Sequence, residues 1–331
     1  MPDLETLIKK EYGDSILITA NSIVDRKRDV VPVSPTIDLI TNGGLTTGLH
    51  VFAGKSKSGK TSCCLYFAAS AQKKGYTIYY FNVENRLKKR DLECVPGLDL
   101  NNFYIIESSE DKILSATDYL QIAHQIISTK KKIVIIFDSM SAISSESELV
   151  EDMSKQLMDN GNKAIAKFVR KSSAAININD VIFISIHHMG VNMTSYGAPY
   201  IEKTSTAIRY QADTKLIFKS SSYWKIPKNS DNIIGQEIQI FCEHSALGPP
   251  GKTGTGFLVY GKSISKEAEL INIAKDINLI DSAGAWYTMT FLEEKPKFQG
   301  EENCRLFLVE NPQHYDTLNQ LVRERLGLPT F

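Results

Sequence analysis

Apolar residues along this chain fall into short, nearly continuous runs separated by longer mixed stretches. The runs LHVFAG (49–54), TIYYFNV (77–83), FYIIES (103–108), KIVIIFD (132–138) and VIFISI (181–186) have strand length and few polar interruptions. Strands read this way when both of their faces are covered. The segments between them have room for helices. Strands alternating with helices predict a largely parallel sheet, because parallel neighbours are joined only by long crossovers. Three later runs, TKLIFKS (214–220), EIQIFCE (237–243) and GFLVYG (256–261), follow one another too closely for helices and predict antiparallel strands that extend the sheet.

The two ends read differently. Residues 3–12 set Leu4, Leu7 and Ile8 at helical spacing among charges, which predicts a short amphipathic helix whose apolar face needs a partner. Pro32 and Pro35 mark a connector, and regular alternation starts near residue 49, which places the beginning of the core there. Beyond about residue 262 the pattern turns helical, then carries Trp286-Tyr287 and a last helix from about Tyr315 to Leu326. The expected division is an N-terminal helix and linker over 1–35, an α/β core over 36–262 with a mostly parallel sheet, an antiparallel extension and helices on both faces, and a small α+β lobe over 263–331. Two polar stretches, 144–162 and 189–206, are longer than ordinary connections, and long loops in a compact domain are often functional.

Composition narrows the class. With 331 residues and 42% hydrophobic content the chain can bury one sizeable core and a smaller satellite. Lys plus Arg equals Asp plus Glu at 38 each, so no overall positive field draws it to nucleic acid, and any such contact must be a local patch. The cysteines (Cys63, Cys64, Cys94, Cys242, Cys304) are odd in number and scattered, without the spacing of a zinc site or a disulfide framework, which suits a reducing cytoplasm. No signal-like or membrane-spanning apolar run is visible, so a soluble protein with no membrane partner is expected.

The segment Gly54-Lys55-Ser56-Lys57-Ser58-Gly59-Lys60-Thr61 satisfies G-x-x-x-x-G-K-[ST] directly after a predicted strand and before a helix-compatible stretch. Its glycines let the backbone curl so that N–H groups face phosphate oxygens. Lys60 then reaches the terminal phosphates and Thr61 offers a hydroxyl to magnesium. The cradle read from the sequence runs from Gly54 to Ser62 and is completed by Asp138, which ends an apolar strand where a carboxylate can hold the metal's water shell. ATP and Mg2+ are the expected cofactors; an ordinary Gly/Ser turn is the bland alternative. Glu84, just past the second run, is the best base to orient an attacking water, or else a solvated carboxylate at a strand end. His187-His188 follow the fifth run, where an imidazole can donate to a terminal phosphate, although a histidine pair is more often structural.

In order and spacing these motifs resemble the RecA family, and within it the phage branch of UvsX-type recombinases. The likeness covers nearly the whole chain: Lys9-Lys10-Glu11-Tyr12-Gly13, Ile37-Asp38-Leu39-Ile40 with Gly43-Gly44-Leu45, the lobe stretch Leu279-Ile280-Asp281-Ser282-Ala283-Gly284-Ala285-Trp286-Tyr287, and Glu310-Asn311-Pro312. The resemblance implies a RecA-like P-loop ATPase core, an N-terminal helix that docks on the neighbouring protomer, and an ATP-dependent recombinase forming helical filaments on single-stranded DNA. It would pair that strand with homologous double-stranded DNA in recombination and repair, in a bacterial or phage-infected cytoplasm, with a mediator and a single-strand-binding protein as further partners. By the same resemblance Lys60, Glu84 and His188 are catalytic, and Thr61 and Asp138 hold the metal. The two polar stretches match the family's DNA loops, with Lys163, Arg170, Met193, Tyr196, Tyr200, Lys203, Thr206 and Arg209 as DNA contacts. Lys163 and Arg170 lie two helical turns apart on one face. Three departures stand out. Thr204-Ser205-Thr206 occupies a loop end where glycines are usual, His244 and Ala246 stand where two cations reach the neighbour's ATP, and Gly248-Pro249-Pro250-Gly251 reshapes a turn. Loss of those cations implies either slow hydrolysis or their replacement by Lys252 or Lys262. A ring-forming RecA-fold motor, or an ATP-binding filament or mediator protein with weak hydrolysis, remains the alternative.

Overall fold

The computed structural model describes residues 3–143, 160–191, 200–202, 204–226 and 230–330. Strands β1 (Val30–Val31) and β2 (Leu45–Thr46) pair as a small antiparallel ribbon. The main sheet contains β3 (Gly48–Gly54), β4 (Thr77–Asn82), β5 (Phe103–Ile106), β6 (Ile133–Asp138), β7 (Val181–Val191), β8 (Tyr200–Glu202), β9 (Thr214–Lys225), β10 (Ile233–His244) and β11 (Thr253–Val259). Its order is β11-β10-β9-β3-β7-β6-β4-β5, with β8 alongside β7. From β5 to β9 neighbours run parallel. The antiparallel part therefore begins one strand later than the close spacing predicts, because β9 aligns with β3 and only β10 and β11 turn back.

The apolar runs are continuous because alternate residues enter two cores. Val134 and Ile136 of β6 join Phe52, Tyr80 and Ile184 under α4 (Lys60–Lys73), while Ile135 and Phe137 join Val51, Phe81 and Phe183 on the other face. That second face is closed by α6 (Ala116–Thr129) and α7 (Asn160–Ile178). Phe81 and Phe137 stack with ring centroids 4.7 Å apart at its centre. The remaining α-helices among the described residues before the lobe are α1 (Leu4–Tyr12), α2 (Ala20–Val24), α3 (Pro35–Thr41), α5 (Lys89–Glu93) and α8 (Thr206–Gln211).

Several boundaries differ from expectation. The core begins well before residue 49: Val31, Val33, Ile37, Ile40 and Leu45 are all buried in it. α3 is capped by Ser34, has Pro35 in its first turn and spans only 7 residues, too short to leave a helical period in the sequence. The stretch 189–206 is not one loop. β7 continues to Val191, β8 pairs with it antiparallel, and Ser205 caps α8, which starts at Thr206. Residues 160–162 belong to α7, and 144–159 lie outside the described residues. The last helix starts at Pro312, not Tyr315, since proline is well suited to a first helical turn.

Beyond the main sheet, β12 (Ile280–Ala283), β13 (Trp286–Met289) and β14 (Lys297–Gln299) form an antiparallel sheet. It packs with α9 (Lys266–Asp276), α10 (Glu301–Glu310) and α11 (Pro312–Arg325) around Leu270, Ile280, Met289, Leu308 and Leu318. Buried ionisable groups join these elements to α3. Arg323 of α11 donates to Asp38 at 2.8 Å and to the Gly43 carbonyl at 3.2 Å, and Glu269 of α9 accepts from the Thr36 amide at 2.9 Å.

Burial pushes the Asp38 carboxyl up to about 6 despite Arg323, and the Glu269 carboxyl up to about 7 despite its backbone donors. In the unfolded chain both ionise near pH 4, so stability from these groups is present below that pH and is lost as pH rises through about 7. Glu269→Gln removes its share. Between pH 5 and pH 8 the unfolding free energy of the wild type should fall by about 2–3 kcal/mol more than that of the variant, read from urea unfolding. Equal pH slopes would show Glu269 ionised in the folded protein at neutral pH.

Candidate nucleotide site

Parallel strands place their carboxyl ends along one edge, where ligands bind in such sheets. Register brings Gly54 of β3 opposite His188 of β7, and Asn82 of β4 opposite Asp138 of β6, on that edge. Glu84 lies two residues past β4. Residues far apart in sequence thus converge on one edge of the sheet.

Between β3 and α4 the chain makes the curled turn that the glycine pattern predicts. Lys57 (φ 61°) and Gly59 (φ 84°) adopt left-handed backbone. A Cβ on Gly54 would strike the Phe218 carbonyl, and one on Gly59 the Ile238 side chain. Lys60 is 4% exposed and donates to the carbonyls of Gly54 at 3.0 Å and Lys55 at 2.7 Å, and to the Ser58 hydroxyl at 3.3 Å. Burial pulls its ammonium down to about 8, against the attraction of Asp138 and Glu84. A buried ammonium held by neutral oxygens at a helix N-terminus suits an anion, which supplies the charge its surroundings lack.

Thr61 donates to Asp138 Oδ2 at 2.6 Å, and the Tyr80 hydroxyl donates to the same oxygen at 2.6 Å. Burial and the adjacent carboxylate push the Tyr80 phenol far above its usual range, so it keeps its proton and donates it to Asp138. A hydroxyl and a carboxylate facing each other beside the phosphate loop are the hard oxygen donors that Mg2+ takes, so the residues present fit that ion.

Glu84 is the hub of a second cluster. His188 Nε2 lies 3.0 Å and Ser139 Oγ 3.1 Å from Glu84 Oε1, while Arg86 contacts Glu84 Oε2 at 2.7 Å. Ser141 accepts from the His188 amide at 2.9 Å. The Asp138-Ser139 peptide bond is cis. His187 faces the other way into the interior, as strand alternation requires, and bonds to Ser185 and Glu202. The two adjacent histidines therefore have different surroundings. Tyr80, Ser139, Ser141 and Arg86 were not picked out from the sequence. Tyr80 passes as strand filler in an apolar run, and the serines carry no motif beyond following Asp138.

The expected DNA contacts are dispersed over several elements. Lys163 and Arg170 are both exposed on α7, which packs against α8, headed by Thr206. Arg209 of α8 is half-buried, its Nε without a hydrogen-bond partner among the described residues. On β8, Tyr200 sets its ring 4.0 Å from Lys55 Nζ, bridging to the phosphate loop. Met193, Tyr196 and Lys203 lie outside the described residues. At the β10 end, His244 Nε2 lies 3.0 Å from the Ala212 carbonyl, the Ala246 amide donates to Thr214 Oγ1, and Lys252 donates to the Leu39 carbonyl at 3.4 Å. Lys262 is exposed in the turn after β11.

A mostly parallel sheet whose β3 feeds a glycine-lysine-threonine loop into a helix, with acids on the adjoining strand ends, defines an ATPase core of the P-loop class. The RecA N-terminal domain model matches residues 4–265 and the RecA C-terminal domain model residues 268–327, and the chain belongs to the RecA family. The RecA protein of Phytoplasma mali (strain AT) is 28% identical over 323 residues, covering 96% of this chain and 92% of that protein. That of Streptococcus gordonii is 28% identical over 326 residues, covering 97% and 83%, and that of Streptococcus pneumoniae (strain Hungary19A-6) 27% over 331 residues, covering 98% and 83%. The protein is a RecA-type recombinase with the DNA-dependent ATPase activity of its family. RecA family proteins bind DNA, form homo-oligomeric filaments and use ATP with Mg2+. No helix among the described residues is long and apolar enough to cross a membrane.

Proposed function

We propose that this protein uses ATP to assemble on single-stranded DNA as a helical filament and pairs it with a homologous duplex, through the residues gathered at the sheet edge. The observation that carries the residue assignment is the Glu84 cluster beside Lys60 and Thr61. In this reading Lys60 grips the terminal phosphates, Thr61 and Asp138 hold Mg2+, Glu84 orients the attacking water, and His188 links Glu84 to the terminal phosphate. Mg2+, when bound, neutralises charge on the phosphates. Lys163, Arg170 and the stretch 189–206 contact DNA, the former pair by phosphate attraction.

Self-assembly is supported by two apolar surfaces. α1 leaves Leu4 72% and Leu7 47% exposed, and among the described residues the sheet ends at β5, where Tyr104 and Ile105 are exposed. We assign α1 and its linker to docking on the next protomer, with residues 36–262 as the ATPase core and 263–331 as the lobe. The order and spacing of the motifs support a place in the UvsX-type phage branch, with a mediator and a single-strand-binding protein as partners in the cytoplasm of the bacterial cell.

Slow hydrolysis is a second reading. It rests on the β10 end, where His244 is turned to a carbonyl, Ala246 carries no charge and Lys252 is engaged. ATP turnover with and without single-stranded DNA, measured on samples imaged by electron microscopy, separates the two. Helical filaments with DNA-stimulated turnover are expected. Rings, or no assembly on DNA, would overturn the filament reading, and filaments without turnover would favour the second one.

A further inference from the structure

Strand β8 is three residues long and inverts the usual burial pattern. Its aliphatic residue, Ile201, is 47% exposed, whereas the Glu202 side chain is 4% exposed. Hydrophobic burial therefore does little to hold this arm against β7, and the acid occupies the inward position that a strand normally gives to an apolar residue.

Partners from two other strands meet that acid. Glu202 Oε2 lies 3.0 Å from His187 Nδ1 of β7, and Glu202 Oε1 lies 2.5 Å from Lys215 Nζ of β9. Lys215 also pairs with Glu243 of β10 at 2.5 Å. His187 Nε2 and Ser185 Oγ are 2.8 Å apart. Burial keeps His187 neutral, and with Glu202 as acceptor its Nδ1 carries the proton and its Nε2 accepts from Ser185. Burial opposes ionisation of Glu202, but the hydrogen bonds from His187 and Lys215 outweigh it and hold the carboxyl below its usual range. Lys215 is raised by its two carboxylate partners in spite of burial. Each group compensates another, so pulling β8 away strands buried charges, which is costly.

We propose that Glu202 is a positioning residue: it clamps the β8 arm to the core through His187 and Lys215, so that residues 189–191 and 200–202 are held ready for single-stranded DNA. The proposal rests on the reading of 189–206 as a DNA-contacting stretch. Glu202 does not touch nucleotide or DNA in it. Its contribution is preorganisation, which spares DNA the cost of ordering the arm. The clamp also places Tyr200, two residues earlier, where its ring meets Lys55 of the phosphate loop.

The test uses the full chain as wild type and as Glu202→Gln, which keeps the shape and removes the charge. Hydrogen exchange is followed at 189–191 and 200–202 without DNA. Oligothymidylate affinity is measured by anisotropy with a non-hydrolysable ATP analogue and Mg2+, and nucleotide affinity with a fluorescent ATP analogue. Faster exchange confined to the two arms, oligothymidylate binding weakened by about tenfold and nucleotide affinity within about twofold are expected, the scale on which residues couple without touching a ligand. Unchanged exchange would show that Glu202 does not hold the arm; faster exchange with unchanged DNA affinity would show that the clamp does not serve DNA binding. Either overturns the proposal. Wild-type protein that binds no oligothymidylate would instead sink the DNA reading, and the exchange arm still reports on the clamp. If Glu202→Gln fails to fold with Lys215 left only Glu243 as a partner, the double variant Glu202→Gln/Lys215→Met removes the undercompensated buried charge. It is expected to fold yet keep the loosened arm and weakened DNA binding; wild-type DNA affinity there would refute the positioning role.

Discussion

Lys60→Ala is expected to abolish nucleotide-dependent assembly on DNA. The ammonium is buried and already directed into the turn by the Gly54 and Lys55 carbonyls, so a phosphate entering the loop meets a charge that solvent does not screen. Truncating one partner of a buried, hydrogen-bonded charge pair costs about 2–5 kcal/mol, or roughly 30-fold to several thousand-fold in affinity. Titration calorimetry with ATP and Mg2+ measures the loss directly, and electron microscopy on single-stranded DNA reports its consequence. Filaments that form at wild-type ATP concentrations in the variant would remove nucleotide binding at this loop as the trigger of assembly.

The phosphate loop was legible because its function is written in contiguous residues: the glycines, Lys60 and Thr61 need only a preceding strand and a following helix. The central strands were legible for a different reason. A parallel strand covered on both faces must be apolar at consecutive positions, and β3, β4, β6 and β7 are. From these two facts it follows that Glu84, Asp138 and His188, each ending an apolar run, stand on the same edge as Gly54.

What the sequence hides is long-range pairing. Thr36 with Glu269 and Asp38 with Arg323 are joined across more than two hundred residues, and nothing local in either segment announces the partner. α3 and the β1–β2 ribbon are too short for a period, so no pattern in the sequence marks the early start of the core. Glu202 and Lys215 look like ordinary solvated charges in the sequence, although their side chains are buried against each other. Tyr80 is hidden in the opposite way. Its ring fills an apolar position as any strand aromatic would, while its hydroxyl reaches the carboxylate beside Thr61. Burial of a polar group becomes visible only when its partners are in place.

Glu84→Gln is expected to leave ATP binding intact while lowering turnover by about 10²–10⁴-fold, the usual contribution of a positioned general base. The amide preserves the volume and can still accept from Ser139 or His188, so the cluster keeps its shape and loses its negative charge. Loss of the Arg86 pair should matter little, because that guanidinium side chain is 76% exposed and such surface pairs contribute about 0–1 kcal/mol. Lys60 and Thr61 are untouched, so calorimetry should return a near wild-type ATP affinity, in contrast to Lys60→Ala. If hydrolysis is what releases DNA, filaments of the Glu84 variant should form normally with ATP and then persist. Wild-type filaments should disassemble as ATP is consumed. Normal turnover in Glu84→Gln would mean that another group orients the water. Slow turnover with normal filament lifetime would separate hydrolysis from release, and the switch would then lie in nucleotide exchange rather than in cleavage.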